Sequence, residues 1–262
     1  MTDAWRFIDT GPCGASYNMA LDEAIAAAVR KDSAPPTLRL YGWDKPAVSI
    51  GCFQRISDVN IDYCIEKKIP IVRRPTGGRA ILHNLELTYS FSAKISYGIF
   101  SKGLLDNYKK ISYALSLALT KCGFSPGIMM DRKTMNYSSP LCFQSTSYGE
   151  ITINNKKIIG SAQKRWTDGF LQQGSIPYTI DKDEMISVFT LKSTHVAGEA
   201  ISGLKEIHPE LNINRLKNAI STSFEEIFDT RLIISSPSQD EVSLAQELEF
   251  QKYLSDQWNF KR

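Results

Sequence analysis

Between residues 37 and 160 short β-like runs and one long amphipathic helix follow each other in no regular order. That irregularity removes most of the architectures open to a chain of 262 residues. Runs rich in strand formers occupy residues 37–41, 47–53, 69–73 and 87–92, separated by turn residues. A helix over about 106–122 places Tyr108, Ile111, Leu115 and Leu119 on one face, and Gly123 stands ready to stop it. There is no internal repeat and no low-complexity segment. The pattern therefore predicts a single α+β domain with a central mixed sheet flanked by helices.

The flanks of this region are helical. Ser16 is placed to cap a helix whose apolar face is Tyr17, Ala20, Leu21, Ala24, Ile25 and Ala28, ended by Ser33-Ala-Pro-Pro36. Two helices close the chain, one over 213–228 and one from Ser238, where Glu241 suggests a capping box. The expected organisation is a catalytic domain over 1–228, with its signature core at about 33–200, and a short helical extension over 229–262.

Composition narrows the function classes. Apolar residues at 42% and charged residues at 23% suit a soluble globular enzyme. No apolar run reaches the ~18–20 residues of a membrane span, and the N-terminus resembles no targeting segment. Five cysteines (13, 52, 64, 122 and 142) lack paired spacing, so a reducing cytoplasm is expected rather than a disulfide framework. A net charge of +3 does not call for nucleic acid. Three histidines (83, 195 and 208) without ligand-like spacing predict no metal site.

Chemistry concentrates in two places. Ser138-Ser-Pro-Leu-Cys-Phe143 carries a loop cysteine, and Glu150–Gly160 reads as a hairpin turning at Asn154-Asn155. In that hairpin Thr152 stands opposite Lys157, on the face away from Ile151, Ile153 and Ile158. Lys157 is then either a solvated strand lysine or a cation that favours the Cys142 thiolate. Gly160-Ser-Ala162 reads as a small-residue turn open to a substrate. Cys13, in Gly11-Pro-Cys-Gly14, is a rival nucleophile that residue pattern does not eliminate. The other three cysteines read as buried small hydrophobes.

The second place is Arg73-Arg-Pro-Thr-Gly-Gly-Arg-Ala-Ile-Leu-His83. Gly77 and Gly78 allow close backbone approach, and Arg73, Arg74 and Arg79 supply donors for an anion or carbonyl. A solvated basic hairpin is the alternative, and His83 is either a base or a partly buried histidine bonded to backbone. The segment is neither a P-loop nor a dinucleotide fingerprint.

Together with Glu86-Leu-Thr-Tyr-Ser90, Asn18-Met-Ala-Leu-Asp-Glu-Ala24, Leu38-Arg-Leu-Tyr-Gly-Trp43, Pro46-Ala-Val-Ser-Ile-Gly51, Ser139-Pro-Leu-Cys-Phe143, Lys157-Ile-Ile-Gly-Ser-Ala-Gln163 and Gln173-Gly-Ser-Ile176, this loop resembles the biotin/lipoate protein ligase catalytic superfamily, and its LipM-type octanoyltransferase branch most. The resemblance spans roughly residues 9–181. It implies a class II aminoacyl-tRNA synthetase/biotin-ligase-like fold, with Cys142 as the acyl-thioester residue and Lys157 as the lysine that lowers its pKa. Arg73, Arg74, Gly77, Gly78, Arg79, His83, Gly160, Ser161 and Ala162 are the implied substrate contacts.

The implied activity is octanoyl transfer from octanoyl-acyl carrier protein to a lysine of a lipoyl-accepting domain, such as glycine cleavage H protein, with no cofactor. Both partners are expected to be acidic and to meet the arginine group of the loop. ATP-dependent lipoate ligation is the alternative. Ligases of the superfamily carry a third glycine where this chain has Arg79, and an aspartate where it has Asn84. An adenylate mechanism also leaves Cys142 without a purpose.

Overall fold

The computed structural model describes residues 4–96, 98–100, 104–129, 149–190 and 201–261. Strand β1 (Ala4–Cys13) leads into helix α1 (Ala15–Arg30), followed by β2 (Thr37–Trp43), β3 (Ala47–Ile50), α2 (Ile61–Glu66), β4 (Ile71–Arg73), β5 (Ile81–His83) and β6 (Glu86–Lys94). Then come α3 (Leu104–Lys121), β7 (Gly127–Ile128), β8 (Ile151–Ile153), β9 (Lys156–Arg165) and β10 (Gly169–Pro177). The chain closes with α4 (Lys182–Val188), α5 (Leu204–Ile207), α6 (Ile213–Phe228), β11 (Arg231–Ile234), α7 (Gln239–Leu248) and α8 (Asp256–Asn259).

Eight strands form one sheet in the order β11-β1-β2-β6-β10-β9-β8-β7, and β4-β3-β5 form a second. β1 runs parallel to both β11 and β2, whereas β2, β6, β10, β9, β8 and β7 pair antiparallel in succession. The large sheet is mixed, as the irregular order of elements predicts.

Alternation along β2 sends Leu38 and Leu40 to one face and Tyr41 and Trp43 toward the other. On the first face α3 and α6 cover an aromatic cluster in which the rings of Trp5, Phe91, Phe100 and Phe228 lie within 6.0 Å of one another. Each such ring contributes about 1.5–3 kcal/mol by leaving water. On the second face lie α1 and α7.

Several local expectations match closely. Helix α6 begins after Asn212, whose side chain accepts from Arg215 N–H, and ends at Asp229 in a left-handed conformation. The capping box of Ser238 and Glu241 is present. Asn154 and Asn155, with φ of 50° and 63°, turn the β8–β9 hairpin, and Thr152 pairs with Lys157.

Other expectations differ. Helix α1 starts at Ala15 with Gly14 in the capping position, and Ser16 instead donates to Glu249 at 2.6 Å. The segment after residue 228 is not wholly helical, because β11 adds a strand beside β1. Residues 160–162 are not a turn but the interior of β9, in register with Ser175, Gly174 and Gln173 of β10.

Candidate active site

The glycine loop between β4 and β5 is organised by its own arginines. Gly78 has φ of +84°, which glycine adopts at little cost, and a Cβ there would stand 2.8 Å from Arg74 Nη2 and 3.5 Å from the Ala162 side chain of β9. Arg74 donates to the Gly77 carbonyl at 3.1 and 2.6 Å, to the Arg79 carbonyl at 2.8 Å, and to both oxygens of Ser49 at 3.1 Å. Arg73 donates to the carbonyls of Gly51 (2.9 Å), Gln54 (2.7 Å) and Asn259 (2.9 Å), which pins α8 against β4. Both guanidinium groups are buried, so the expected arginine surface for acidic partners is not formed by Arg73 or Arg74. Arg79 is half-buried.

Below the loop runs a buried polar chain. Thr76 donates to Gln173 at 2.9 Å, and Gln173 donates to Asp22 at 2.7 Å. The Asp22 carboxylate also accepts from Arg39 (2.7 Å), Ser90 (2.6 Å) and Tyr41 (2.8 Å). Burial is the main force holding the Tyr41 phenol well above its ordinary pKa. The Asp22 charge adds to it and Arg39 opposes it. Tyr41 is therefore a permanent donor here. Sequence reasoning missed these roles. The available signal was a polar pair, Asn18 and Asp22, one helical turn apart inside the buried stripe of α1.

Beside this chain lies a second one. His83 stands between Ser49, whose Oγ is 2.7 Å from Nε2, and Glu86, whose Oε1 is 2.9 Å from Nδ1. Trp43 stacks on the imidazole at 3.9 Å and 12°, and donates through Nε1 to Thr88 at 2.8 Å. Thr88 in turn donates to Glu86, as does Ser175 at 2.6 Å. An arginine can only donate, so Ser49 Oγ accepts from Arg74 and keeps a proton and a second lone pair for its bond with His83 Nε2. The hydrogen on Nδ1 then serves Glu86. Residue pattern alone gives no role to Ser49 or Glu86.

These groups converge on one cavity of about 360 Å³, counted to its mouth, whose wall includes Ser49, Arg74, His83, Gly160, Ser161 and Ala162. Gly174 floors it because a Cβ would run into the Tyr89 ring and come within 2.6 Å of Ser161 Oγ. Among the described residues β9 has no β8 partner beyond Ile159, and the Ser161 carbonyl accepts from Tyr108 at 3.0 Å.

Lys157 is fully buried and ion-paired with Glu150 at 2.5 Å, which excludes the solvated alternative. Cys142 lies outside the described residues. Cys13 is half-buried. Burial, aided by the Glu184 charge, pushes the Cys64 thiol up to about 11, and burial raises Cys122 against an opposing Arg215. Those two are inert thiols. Among the described residues no group of three or more His, Cys, Asp or Glu could hold a metal ion, and no helix is long and apolar enough to cross a membrane.

The lipoyl protein ligase A/B catalytic domain family matches residues 14–225. Octanoyltransferase LipM of Bacillus anthracis is 34% identical over 281 residues, covering 99% of each chain, and that of Kyrpidia tusciae is 35% identical over 98% of this chain and 99% of its own. The LipM octanoyltransferase of Bacillus subtilis is 31% identical over 99% of each. A lipoate-protein ligase A bound with ATP superposes with a TM-score of 0.83 at 23% identity, covering 98% of this chain and 99% of its own. A bipartite lipoate protein ligase from Thermoplasma acidophilum gives 0.81 at 22%, covering 98% and 96%. At those identities the two structures speak for the fold alone. The chain belongs to the lipoyl protein ligase A/B catalytic domain family, and its full-length likeness to octanoyltransferases makes it an acyltransferase of lipoate biosynthesis rather than an ATP-dependent ligase.

Proposed function

We propose that this octanoyltransferase takes its acyl group from octanoyl-acyl carrier protein and passes it, through a thioester on Cys142, to a lysine of a lipoyl-accepting protein such as glycine cleavage H protein. The observation that carries this reading is the meeting of Arg74 of the glycine loop, His83 and residues 160–162 of β9 around one cavity. The Cys142 thiolate attacks the donor thioester, the carrier thiol leaves, and the acceptor amine then displaces Cys142. Exchange between thioesters is nearly balanced and the amide product lies downhill, so neither step requires ATP. The Lys157 ammonium favours the thiolate and offers positive charge to the oxyanion. Free thiols at Cys13, Cys52, Cys64 and Cys122 suit a reducing compartment such as the cytoplasm.

Incubation with octanoyl-acyl carrier protein in the absence of ATP, followed by intact mass and peptide mapping, tests the reading. One hydroxylamine-labile octanoyl group on Cys142 is expected. An adduct on Cys13 would replace the nucleophile. No adduct, with transfer supported by ATP and free octanoate, would replace the reaction by ligation.

A further inference from the structure

Glu86 and His83 are only 6% and 4% exposed; His83 stands in the wall of the cavity with Ser49, and Glu86 lies behind it, 2.9 Å from Nδ1. Burying a carboxylate and an imidazole is costly unless every hydrogen bond is met. Here the bonds are met. Trp43 donates to Thr88, and Thr88, Ser175 and His83 donate to Glu86. Ser49 Oγ and His83 Nε2 share a hydrogen bond at 2.7 Å, and Arg74 donates to the Ser49 oxygen from the other side. The chain ends on the cavity side at one oxygen, Ser49 Oγ, 2.7 Å from His83 Nε2. Orientation of this kind, with base and orienting carboxylate within hydrogen-bond reach, is what proton transfer during acyl transfer requires.

We infer that Ser49, His83 and Glu86 form a proton relay that takes the proton released when the acceptor lysine amine attacks the octanoyl carbonyl. The inference rests on the amine-acylating half of the function proposed above. In that step a C–N bond forms, the C–S bond to Cys142 breaks, and its electron pair leaves on sulfur. The nitrogen loses one proton to Ser49 Oγ as the Ser49 hydroxyl proton moves to His83 Nε2. Glu86 stabilises the resulting imidazolium through Nδ1–H, and the proton then passes to water. The acylation of Cys142 has no amine to deprotonate and does not use the relay.

Among the described residues, the charged groups bonded to His83 directly or through Ser49 are Glu86 from β6 and Arg74 from the glycine loop. Tyr41 and Tyr178 sense the Glu86 charge, but burial, first among the causes, raises both phenols and keeps them protonated. Trp43, Thr88 and Ser175 add no charge.

The test compares the wild type with His83→Gln and Ser49→Ala in single turnover. Loading from octanoyl-acyl carrier protein is read by mass, and transfer to a lipoyl-domain lysine is read across pH. In both variants loading should change less than about threefold while transfer slows about 100-fold, the low end of general-base effects. The acidic limb of the wild-type transfer profile should vanish in His83→Gln. Equal slowing of both halves, persistence of that acidic limb, or an octanoyl ester on Ser49 would each overturn the relay. If the wild type forms no adduct on Cys142, the thioester reading fails by itself. The relay is then judged by the acidic limb of overall transfer. Unfolding midpoints recorded for each variant separate lost packing from lost proton transfer.

Discussion

Asp22 and Arg39 meet at 2.7 Å with neither side chain exposed to solvent. With Ser90, Tyr41 and Gln173 also donating to it, one carboxylate ties α1 to β2, β6 and β10, and through Thr76 to the glycine loop. Leaving a buried guanidinium without its charge partner is more costly than never having built the pair. Asp22→Asn should lower unfolding stability by about 3–5 kcal/mol in urea titration. A loss under about 0.5 kcal/mol, the size of a surface substitution, would mean that the network relaxes around the change.

Gly51 is the seat of the loop, because a Cβ there would strike the Gly78 carbonyl. Backbone cannot swing aside as a side chain can. Gly51→Ala should cost about 1–3 kcal/mol, as overpacking does. It should also depress octanoyl transfer by displacing Gly77 and Gly78. Normal transfer in a destabilised variant would uncouple the seat from the site.

Lys157→Met removes the partner of a buried carboxylate and should lose about 3–5 kcal/mol. The double variant Lys157→Met/Glu150→Gln removes the stranded charge as well, so stability should largely return. Transfer should not return if the ammonium acts on the nucleophile. Recovery of both would reduce Lys157 to a packing residue.

Thiol alkylation should follow burial and charge. With the Cys64 thiol pushed up to about 11, roughly a thousandth of it is thiolate at pH 8. Iodoacetamide at that pH should label Cys13 well ahead of Cys64 and Cys122, and raising the pH should accelerate Cys64 only above about 10. Early labelling of Cys64 by peptide mapping would contradict its placement against α4.

Arg79 fills the place where ligases of the superfamily carry a third glycine. Calorimetry of the wild type is expected to show no ATP binding, and Arg79→Gly is expected to lose transfer. Magnesium-dependent ATP binding would reopen ligation.

Elements with local signals are legible in the residue order. The helix over 213–228, the reciprocal bonds of Ser238 and Glu241, the apolar face of α3 and the Asn154-Asn155 turn each involve residues within a few positions of one another. Strand β10 is not legible, because its buried Gln172, Gln173, Gly174 and Ser175 read as loop until β6 and β9 supply partners. Ser16 has the chemistry of a cap, but its hydroxyl finds Glu249 instead, 233 positions away.

The site divides in the same way. Residue order alone determined the α+β class, the glycine loop with its family resemblance, and a hairpin that sets Lys157 opposite Thr152, because these depend on turn chemistry and strand period. Tertiary structure decided that Arg73 and Arg74 hold backbone rather than meet partners, that Lys157 is paired with Glu150, and that Ser49, His83 and Glu86 stand in line. Which donor meets which acceptor depends on strands that are far apart in the chain. Only the assembled sheet, with helices packed on both faces, makes those pairings obligatory.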